Sequence, residues 1–336
     1  MAGSVVGKAD DARPKTRTAP PSVGHTIAAP VSLLDSALVR LLPAVPKPVV
    51  QLFSSRYIAG ATLAEAVECV RGLNGGGKMA TVDVLGEEIT HEDETREIAQ
   101  AYDDVFAAID EAGLDSNVSV KLTALGLELS YDLCRENLLD VVRTAAGYGN
   151  FVRIDMEDSS TTDDTLRLYR ELREDGHENL GVVLQARLRR SLDDVHALAD
   201  LRPNVRLCKG IYLEPGTIAF TDYEAVRANF VRCFDALLDA GCYVGVATHD
   251  EWLVGESLAR ISLRGLEPLE YELQMLLGVR EEWRDELVAD GHRLRVYVPF
   301  GEHWYAYSLR RLQENPAMAG TIAKATAGRV LRFGTG

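Results

Sequence analysis

The feature that most limits the possible folds of this chain is a regular alternation of short β-rich runs with amphipathic helical segments. The alternation starts after Asn74-Gly75 and includes eight runs: MATVDVLG (79–86), NVSVKLTA (117–124), FVRIDMED (151–158), LGVVLQA (180–186), VRLCKGIY (205–212), CYVGVATH (242–249), YELQML (271–276) and LRVYVPF (294–300). Strands that alternate with helices form parallel sheets, and eight strands are the number of a (β/α)8 barrel. The sequence therefore predicts an α/β fold built as a TIM-like (β/α)8 barrel.

The segments between the runs have helical periodicity, as in ETREIAQAYDDVFAAIDEAG (94–113), TLRLYRELREDG (165–176) and YEAVRANFVRCFDALLDAG (223–241). All three end on a glycine, which is typical of a helix C-terminus. A doubly wound sheet is the alternative fold. It is disfavoured by the count of eight and because no G-x-G-x-x-G motif follows the first strand.

The first part of the chain lacks this alternation. Residues 1–30 are rich in Pro, Ala, Thr and charged side chains, and we predict that they are disordered. Residues 31–74 contain three helical patterns, SLLDSALVRLL, KPVVQLFSSRYI and TLAEAVECVRGL, and form a predicted N-terminal helical arm. The predicted catalytic barrel then occupies residues 75–336.

Composition narrows the class of protein. The net charge is −15 with no basic face, so nucleic-acid binding is not expected. No apolar run reaches the roughly 18 residues of a membrane span. The cysteines are odd in number, scattered and without a C-x-x-C pair, which indicates reduced thiols in a cytoplasmic protein: Cys69, Cys134, Cys208, Cys233 and Cys242. The seven histidines show no metal-site spacing, so no metal is predicted.

The stretch GLNGGGKM (72–79) resembles a phosphate-binding loop but departs from that motif twice. Met79 stands where a magnesium-binding hydroxyl is needed, and the stretch leads into a strand instead of a helix. We therefore predict an ordinary helix-to-strand connection here.

Polar residues concentrate at the ends of the β-rich runs. In a barrel the C-terminal strand ends form the active-site face, so these residues would line one polar pocket. The alternative for any single one is an ion pair inside the barrel. The set comprises Asp83, Glu87, Lys121, Asp155, Glu157, Asp158, Gln185, Arg187, Arg206, Lys209, Tyr212, Thr248, His249, Asp250, Gln274 and Tyr297.

A helical pattern after the last run carries two adjacent arginines, Arg310 and Arg311, with Tyr307 before them and Glu314 after them. At about 100° per residue, all four can share one broad face. Two neighbouring guanidiniums suit a carboxylate ligand, and Glu314 can hold one of them. The sequence favours a carboxylate clamp over the barrel mouth, and the alternative is a surface helix with an i,i+4 salt bridge.

Two other strand ends indicate an anionic cofactor. Arg206 and Lys209 are cations followed by Gly210, which permits close backbone approach to a ligand. Thr248 and His249 offer a hydroxyl and an imidazole to a pyrophosphate or a ribose. The alternatives are a lysine that points away from the barrel end and a histidine with a structural hydrogen bond.

Taken in order, VSVKLTALG, RIDMED, VVLQA, VRLCKGIY, VATHD, YELQML and YVPFGEHWYAYSLRRLQENP resemble the successive motifs of the proline dehydrogenase family over about residues 79–316. The resemblance implies a distorted (β/α)8 barrel with FAD at the strand ends and a final helix over the mouth. It implies oxidation of L-proline to Δ1-pyrroline-5-carboxylate and transfer of electrons to a membrane quinone. The implied setting is the cytoplasm with peripheral contact to the inner face of the membrane, and a pyrroline-5-carboxylate dehydrogenase is the implied partner.

The same resemblance assigns roles to individual residues. Arg310 and Arg311 would bind the proline carboxylate, with Lys121 as a third cation. Tyr297 and Leu276 would contact the ring, Glu87 would form a gate with the arginine helix, and Glu314 would support it. Asp155 and Arg206 would lie at the catalytic centre, with Arg206 near flavin N5. The residues that would line FAD, besides Arg206, are Met156, Gln185, Lys209, Gly210, Ile211, Tyr212, Thr248 and His249.

The chain departs from the family pattern at Arg187, where an aromatic residue is usual, and at Leu213, where some members have tryptophan. Tyr297 predicts a preference for proline over hydroxyproline, because its phenol would crowd a ring hydroxyl. With no second catalytic domain after the arginine helix, a monofunctional enzyme is expected. Two other functions stay open: a Schiff-base lyase or aldolase that uses Lys121, and a non-catalytic anion-binding barrel.

Overall fold

The computed structural model describes residues 56–86, 89, 91–305 and 308. Its eight strands are all parallel, each pairs with the next, and β8 pairs with β1 to close the barrel. The predicted barrel is therefore confirmed, and the doubly wound alternative is wrong. The strands are β1 (Met79–Val84), β2 (Ser116–Val120), β3 (Val152–Ile154), β4 (Leu180–Gln185), β5 (Asn204–Cys208), β6 (Tyr243–Ala247), β7 (Tyr271–Leu276) and β8 (Leu294–Phe300).

The helices surround the strands. They are α1 (Leu63–Gly75), α2 (Glu92–Glu111), α3 (Tyr131–Gly147), α4 (Thr162–Glu174), α5 (Ser191–Leu198), α6 (Tyr223–Asp239), α7 (Glu251–Arg264) and α8 (Glu281–Ala289), with short 3-10 turns at Ala199–Leu201 and Pro268–Glu270. In the part of the chain that the structure describes, no helix combines the length and the apolarity that crossing a membrane requires.

Helix α1 begins at a capping box, in which the Thr62 hydroxyl accepts from the backbone of Glu65 and the Glu65 carboxylate accepts from the backbone of Thr62. Its buried residues Ala66 and Val70 pack into the same core as the strands, against β1 and β8. The predicted boundary at residue 75 stays a prediction. Residues 1–30, the earlier part of the arm and the arginine helix lie outside the described residues.

The stretch 72–79 connects α1 to β1, as predicted. Asn74 fastens the connection, because its Nδ2 donates to the Lys78 carbonyl at 2.8 Å and its Oδ1 accepts from the Asp115 N–H at 2.9 Å. The connection is therefore held by side-chain hydrogen bonds to its own turn and to the start of β2.

The barrel has an apolar outside and a polar inside. On each strand, alternate residues such as Val82, Val118 and Val205 pack against the helices in one continuous core. Many of the residues between them are polar and buried, and these include Thr81, Asp83, Asn117, Ser119, Arg153, Arg206, Glu272, Gln274 and Arg295. Because buried polar groups need partners, the interior must form a hydrogen-bonded network.

One chain of that network runs along the barrel from end to end. Arg295 Nε donates to Glu272 Oε1 at 2.8 Å, and Gln274 Nε2 donates to the same oxygen. Arg206 Nε then donates to Gln274 Oε1 at 2.6 Å. Gly245 leaves room for this chain, since a Cβ at that position would collide with the Gln274 amide.

Candidate active site

Asp155 is the centre of the polar cluster at the C-terminal mouth of the barrel. It follows β3 directly, and its Oδ1 accepts from Ser119 Oγ at 2.9 Å and from Arg206 Nη1 at 2.5 Å. Its Oδ2 accepts from the Tyr297 hydroxyl at 2.7 Å and lies 4.0 Å from Lys121 Nζ. One carboxylate thus joins groups contributed by β2, β5 and β8.

Arg206 is a fixed cation within this cluster. Its side chain is held by Gln274 and Asp155, and its Nη1 also donates to Ser119 Oγ at 3.1 Å. Its guanidinium carbon lies 5.2 Å from the centre of the Tyr297 ring, within the range of a cation–π contact. Because the residue is only 7% exposed, this charge is held in place inside the mouth with little screening by solvent.

Lys121 lies between two carboxylates. Its Nζ is 2.6 Å from Asp83 Oδ2, and it donates to the Tyr297 hydroxyl at 3.4 Å. Burial would lower the pKa of Lys121, but the charges of Asp83 and Asp155 outweigh burial and raise that pKa. Lys121 therefore stays protonated, whereas a Schiff-base nucleophile must reach the neutral amine.

The substrate-ring residues adjoin the cofactor residues. Leu276 ends β7, and its N–H donates to His249 Nε2 at 2.9 Å, so that nitrogen carries no proton. His249 lies two residues after the end of β6. Leu276 is a predicted substrate contact and His249 a predicted cofactor contact, and one hydrogen bond joins the two residues.

The strand ends of β4 and β5 form the predicted cofactor side. Gln185 is buried, and its Nε2 donates to the Glu157 carbonyl at 2.7 Å. Gly210 has a φ of +93°, and a Cβ there would lie 2.7 Å from Gln185 Oε1. This position therefore requires glycine both for its backbone conformation and for the space beside Gln185.

Arg187 fastens the loop that follows β5. Its N–H donates to the Lys209 carbonyl at 2.8 Å, and its Nη1 donates to the Tyr212 carbonyl at 2.9 Å. Arg187 departs from the family pattern, but it has a structural role here, because its hydrogen bonds hold the backbone of the predicted cofactor loop. Leu213, the other departure, is 96% exposed at the outer side of that loop.

Asp250 organises the neighbouring strand end. Its carboxylate binds Arg227 at 2.7 Å, Lys209 at 3.3 Å and the Tyr223 hydroxyl at 2.6 Å. Its N–H donates to the buried Thr248 hydroxyl at 3.2 Å. Burial alone would raise the pKa of Asp250, but the hydrogen bonds from Arg227 and Tyr223 outweigh it and lower that pKa well below the ordinary range.

The residues present fit a flavin. Arg206 lies within β5 and Lys209 directly follows it, so both bring positive charge to one strand end, as an electron-rich ring and phosphate groups require. Gly210, next to Lys209, has no side chain to cover its backbone. Met156 is buried beside Asp155, where an apolar wall for a ring system is expected. By contrast, among the described residues no group of three or more His, Cys, Asp or Glu side chains could hold a metal ion.

The structure brings Lys121, Asp155, Arg206 and Tyr297 into direct contact, and it links Leu276 to His249. The other described cofactor residues follow the ends of β3 to β6 at the same face, and all these roles stay predictions. The clamp and gate residues lie outside the described part of the chain, namely Glu87, Arg310, Arg311 and Glu314.

Sequence reasoning missed Ser119, which hydrogen-bonds both Asp155 and Arg206. The available signal was its position in VSVKLT, two residues before Lys121 and therefore on the same inward face of β2.

Comparison with known proteins establishes the family. A family profile described as "Proline dehydrogenase" matches residues 66–324, which span the whole barrel. The chain belongs to the proline dehydrogenase family. The family predicted from the sequence motifs is confirmed. The protein is therefore an oxidoreductase that acts on the CH–NH group of proline in the first step of proline catabolism. The lyase alternative is not supported.

Similar members of the proline dehydrogenase family come from several bacteria. The chain is 39% identical over 274 residues to "Proline dehydrogenase 1" of Bacillus subtilis subsp. natto, which covers 82% of this chain and 90% of that protein. It is 38% identical over 275 residues to "Proline dehydrogenase" of Deinococcus radiodurans, which covers 81% and 89%. The matched part of this chain therefore covers nearly the full length of both relatives.

A solved structure shares the fold of this family member. The crystal structure of proline utilization A from Bdellovibrio bacteriovorus, inactivated by N-propargylglycine, matches with a TM-score of 0.77 at 24% identity. The match covers 84% of this chain and 36% of that one, so this chain spans about a third of that protein. At this identity the likeness concerns the barrel fold alone.

Proposed function

We propose that the protein is an FAD-dependent proline dehydrogenase that oxidises L-proline to Δ1-pyrroline-5-carboxylate. Family membership gives the oxidation of proline, and the choice of FAD as the flavin is our proposal. The observation that carries it is the contact of Asp155, Arg206, Lys121 and Tyr297 at the barrel mouth, next to the Arg206–Gly210 strand end.

The substrate is a zwitterion, and its carboxylate needs cations. Lys121 supplies a permanent positive charge, because Asp83 and Asp155 keep its amine protonated. We assign Arg310 and Arg311 to the same carboxylate, with Glu314 as their support and Glu87 as the gate. Tyr297 and Leu276 would form the wall against the pyrrolidine ring.

A bound FAD would supply, at flavin N5, the acceptor for the hydride that leaves the carbon next to nitrogen. Arg206 would lie near N5, where a positive charge stabilises the reduced ring. Its hydrogen bond to Asp155 at 2.5 Å, which fixes the guanidinium, supports this role. The remaining cofactor residues would be Met156, Gln185, Lys209, Gly210, Ile211, Tyr212, Thr248 and His249.

We further propose the destination of the electrons and of the product. A quinone would reoxidise the enzyme, which would act in the cytoplasm and contact the inner face of the membrane peripherally. A pyrroline-5-carboxylate dehydrogenase would consume the product. The family resemblance supports these three assignments, and addition of a soluble quinone to the proline-reduced enzyme tests the first.

Anaerobic titration with L-proline tests the proposed function. The purified protein should be yellow, and its visible flavin bands should bleach on addition of proline and return on addition of a quinone. Arg206→Ala should impair flavin retention or bleaching, whereas Arg264→Ala, on the outer surface of α7, should change neither. A colourless protein that borohydride inactivates together with substrate would instead identify Lys121 chemistry.

A further inference from the structure

A second cavity lies at the opposite end of the barrel from the candidate active site. It has a volume of about 500 Å³ and is lined by the beginnings of the strands and the loops before them. Its polar wall includes Asn117, Arg153, Asn204, Glu272, Arg293 and Arg295. None of the roles assigned above uses this end of the barrel, so the cavity needs an explanation of its own.

Arg153 is the unusual member of this wall. It is 1% exposed and has no carboxylate partner among the described residues. Its Nη1 donates to the carbonyls of Val182 at 3.0 Å and Asn204 at 2.5 Å, and its Nη2 donates to the Asn204 side chain at 2.5 Å. Its Nε is buried and has no hydrogen-bond partner in that same part of the chain. A buried charged donor in this condition calls for a ligand or a water molecule.

The fold makes room for this guanidinium. A Cβ on Gly181 would lie 2.5 Å from Arg153 Nη1, so only glycine at that position leaves space for the side chain. The Phe151 ring also lies 5.1 Å from the guanidinium carbon. Gly181 and Phe151 thus form a space inside the barrel that fits the Arg153 guanidinium.

The charged groups near Arg153 do not neutralise its positive charge. The two neighbouring interior arginines are already paired, Arg206 with Asp155 at 2.5 Å and Arg295 with Glu272 at 2.8 Å. Burial and the positive charge of Arg206 lower the pKa of Arg153, and the negative charge of Glu272, which is already paired with Arg295, does not outweigh them. An anion in the cavity would supply the missing countercharge.

Two further donors face the same cavity. Arg293 is half-buried, and its Nη2 contacts only the Met79 sulfur at 3.0 Å among the described residues. Asn117 accepts from the Thr81 hydroxyl through Oδ1, which leaves its Nδ2 donors for a ligand. A carboxylate could thus receive hydrogen bonds from more than one side.

The rim of the cavity has the opposite charge. Asp110 and Asp115 both line the cavity and are exposed to solvent. A ligand with a single carboxylate leading and an ammonium behind it would match a cationic floor and an anionic rim. A dianion would match the floor and be repelled at the rim.

We propose that this cavity is a binding site for a small zwitterionic amino acid, with its carboxylate on Arg153 and Arg293 and its ammonium facing Asp110 and Asp115. The site is separate from the candidate active site and does not depend on the proposed function. It would give the protein a second place to sense free amino acids.

Equilibrium dialysis with radiolabelled glycine tests the site. Because glycine also offers a carboxylate to the candidate active site, the informative quantity is the change in stoichiometry between variants. Arg153→Met should lower the glycine bound by about one molecule per chain, and Arg293→Gln should do the same if the buried variant fails to fold. The control Arg264→Gln, on the surface of α7, should bind as the wild type does.

The rim is tested with the wild type and the Asp110→Asn/Asp115→Asn variant. This variant should weaken glycine binding about threefold, as expected for exposed charges, whereas acetate, which the rim carboxylates repel, should bind at least as tightly as before. Equal stoichiometry in the wild type and both arginine variants would overturn the site, and the cavity would then hold only water. Glycine bound no more tightly than acetate would overturn the assignment of the rim.

Discussion

Tyr297 shows how one side chain can serve several groups at the mouth of the barrel. Its hydroxyl lies between Asp155 at 2.7 Å and Lys121 at 3.4 Å, and its ring lies 5.2 Å from the Arg206 guanidinium. It also packs against a small apolar cluster formed by Ile58 and Leu85. The hydroxyl therefore positions the charged groups, whereas the ring provides bulk where the substrate is expected.

Two substitutions at Tyr297 separate these contributions. Tyr297→Phe removes the hydrogen bond to Asp155, worth about 1.5–3 kcal/mol, together with the longer one from Lys121, and should lower kcat/KM for proline by about tenfold or more. Tyr297→Ser should raise the KM for proline and narrow the gap between proline and hydroxyproline, because the ring no longer crowds a hydroxyl. Steady-state kinetics with both substrates, at matched flavin content, gives the answer. If both variants discriminate as strongly as the wild type, Tyr297 does not set specificity.

At this scale the sequence predicted which residues lie at the mouth but not how they pair. The motif VSVKLT indicated an inward Lys121, yet its partner Asp83 comes from β1 at a distance of 38 positions along the chain. Such pairs depend on the register between neighbouring strands and on the lengths of their side chains. A pattern within one strand contains neither, which is also why Ser119 went unnoticed.

Asp250 links neighbouring secondary-structure elements through its carboxylate. It caps α7 by accepting from the Leu253 N–H at 3.4 Å, and it ties that helix to α6 through Arg227 and Tyr223. It also binds Lys209 in the loop after β5. Because its side chain is only 3% exposed, these bonds hold two helices and a loop together with little screening by solvent.

Asp250→Asn should make the protein less stable and less sensitive to acid. In the folded protein the pKa of Asp250 is lowered below the ordinary value of about 3.9, so its contribution is complete above about pH 4 and is lost as the pH falls through the folded value. We expect a loss of about 2–3 kcal/mol near neutral pH and a flatter decline of stability in acid. Urea unfolding at several pH values measures both.

The matched control is Asp222→Asn, which changes the exposed N-cap of α6, where among the described residues the carboxylate accepts from the Ala225 N–H alone, at 2.8 Å. It should cost about 1 kcal/mol or less at every pH tested. Equal losses in the two variants would contradict the role given to Asp250.

The elements themselves were largely predictable, and their boundaries less so. The runs YELQML and LRVYVPF match β7 and β8 residue for residue. The run FVRIDMED contributes only three residues to β3. The Asp155 N–H still donates to the Val120 carbonyl of β2 at 2.9 Å, and the polar residues after it bind side-chain and backbone partners outside the ladder. Composition alone cannot separate a polar strand end from the loop that follows it.

Across the whole molecule, stability depends on a charged barrel interior enclosed by an apolar layer. The chain from Arg295 through Glu272 and Gln274 to Arg206 is buried at every step. Burial would raise the pKa of Glu272, but Arg295 outweighs burial and lowers that pKa, so the pair is ionised. Removing either charge leaves the other uncompensated.

Glu272→Gln should therefore destabilise the whole barrel by about 3–5 kcal/mol. The comparison is Asp239→Asn, which breaks a pair with Arg264 at the surface, where the Asp239 side chain is 69% exposed. That change should cost less than about 1 kcal/mol. Denaturant unfolding of both variants measures the difference, and similar midpoints would show that the interior pair contributes little.

At this largest scale the strand count was enough to predict the closed barrel, and the ordered motifs were enough to predict the family. The cavity below the barrel was not predictable. Its walls come from the beginnings of strands, where Asn117, Arg153 and Arg295 look like ordinary polar interruptions of apolar runs. Only the closed geometry shows that they face one another.

Helix α1 packs against the first and the last strands together, and this has a consequence for biogenesis. Strand β1 is among the earliest parts of the barrel to leave the ribosome, but its partner β8 ends only at Phe300. Until then the nascent sheet has an open border to which another chain can add. A chaperone that covers this unpaired sheet edge during translation would prevent such pairing with another chain.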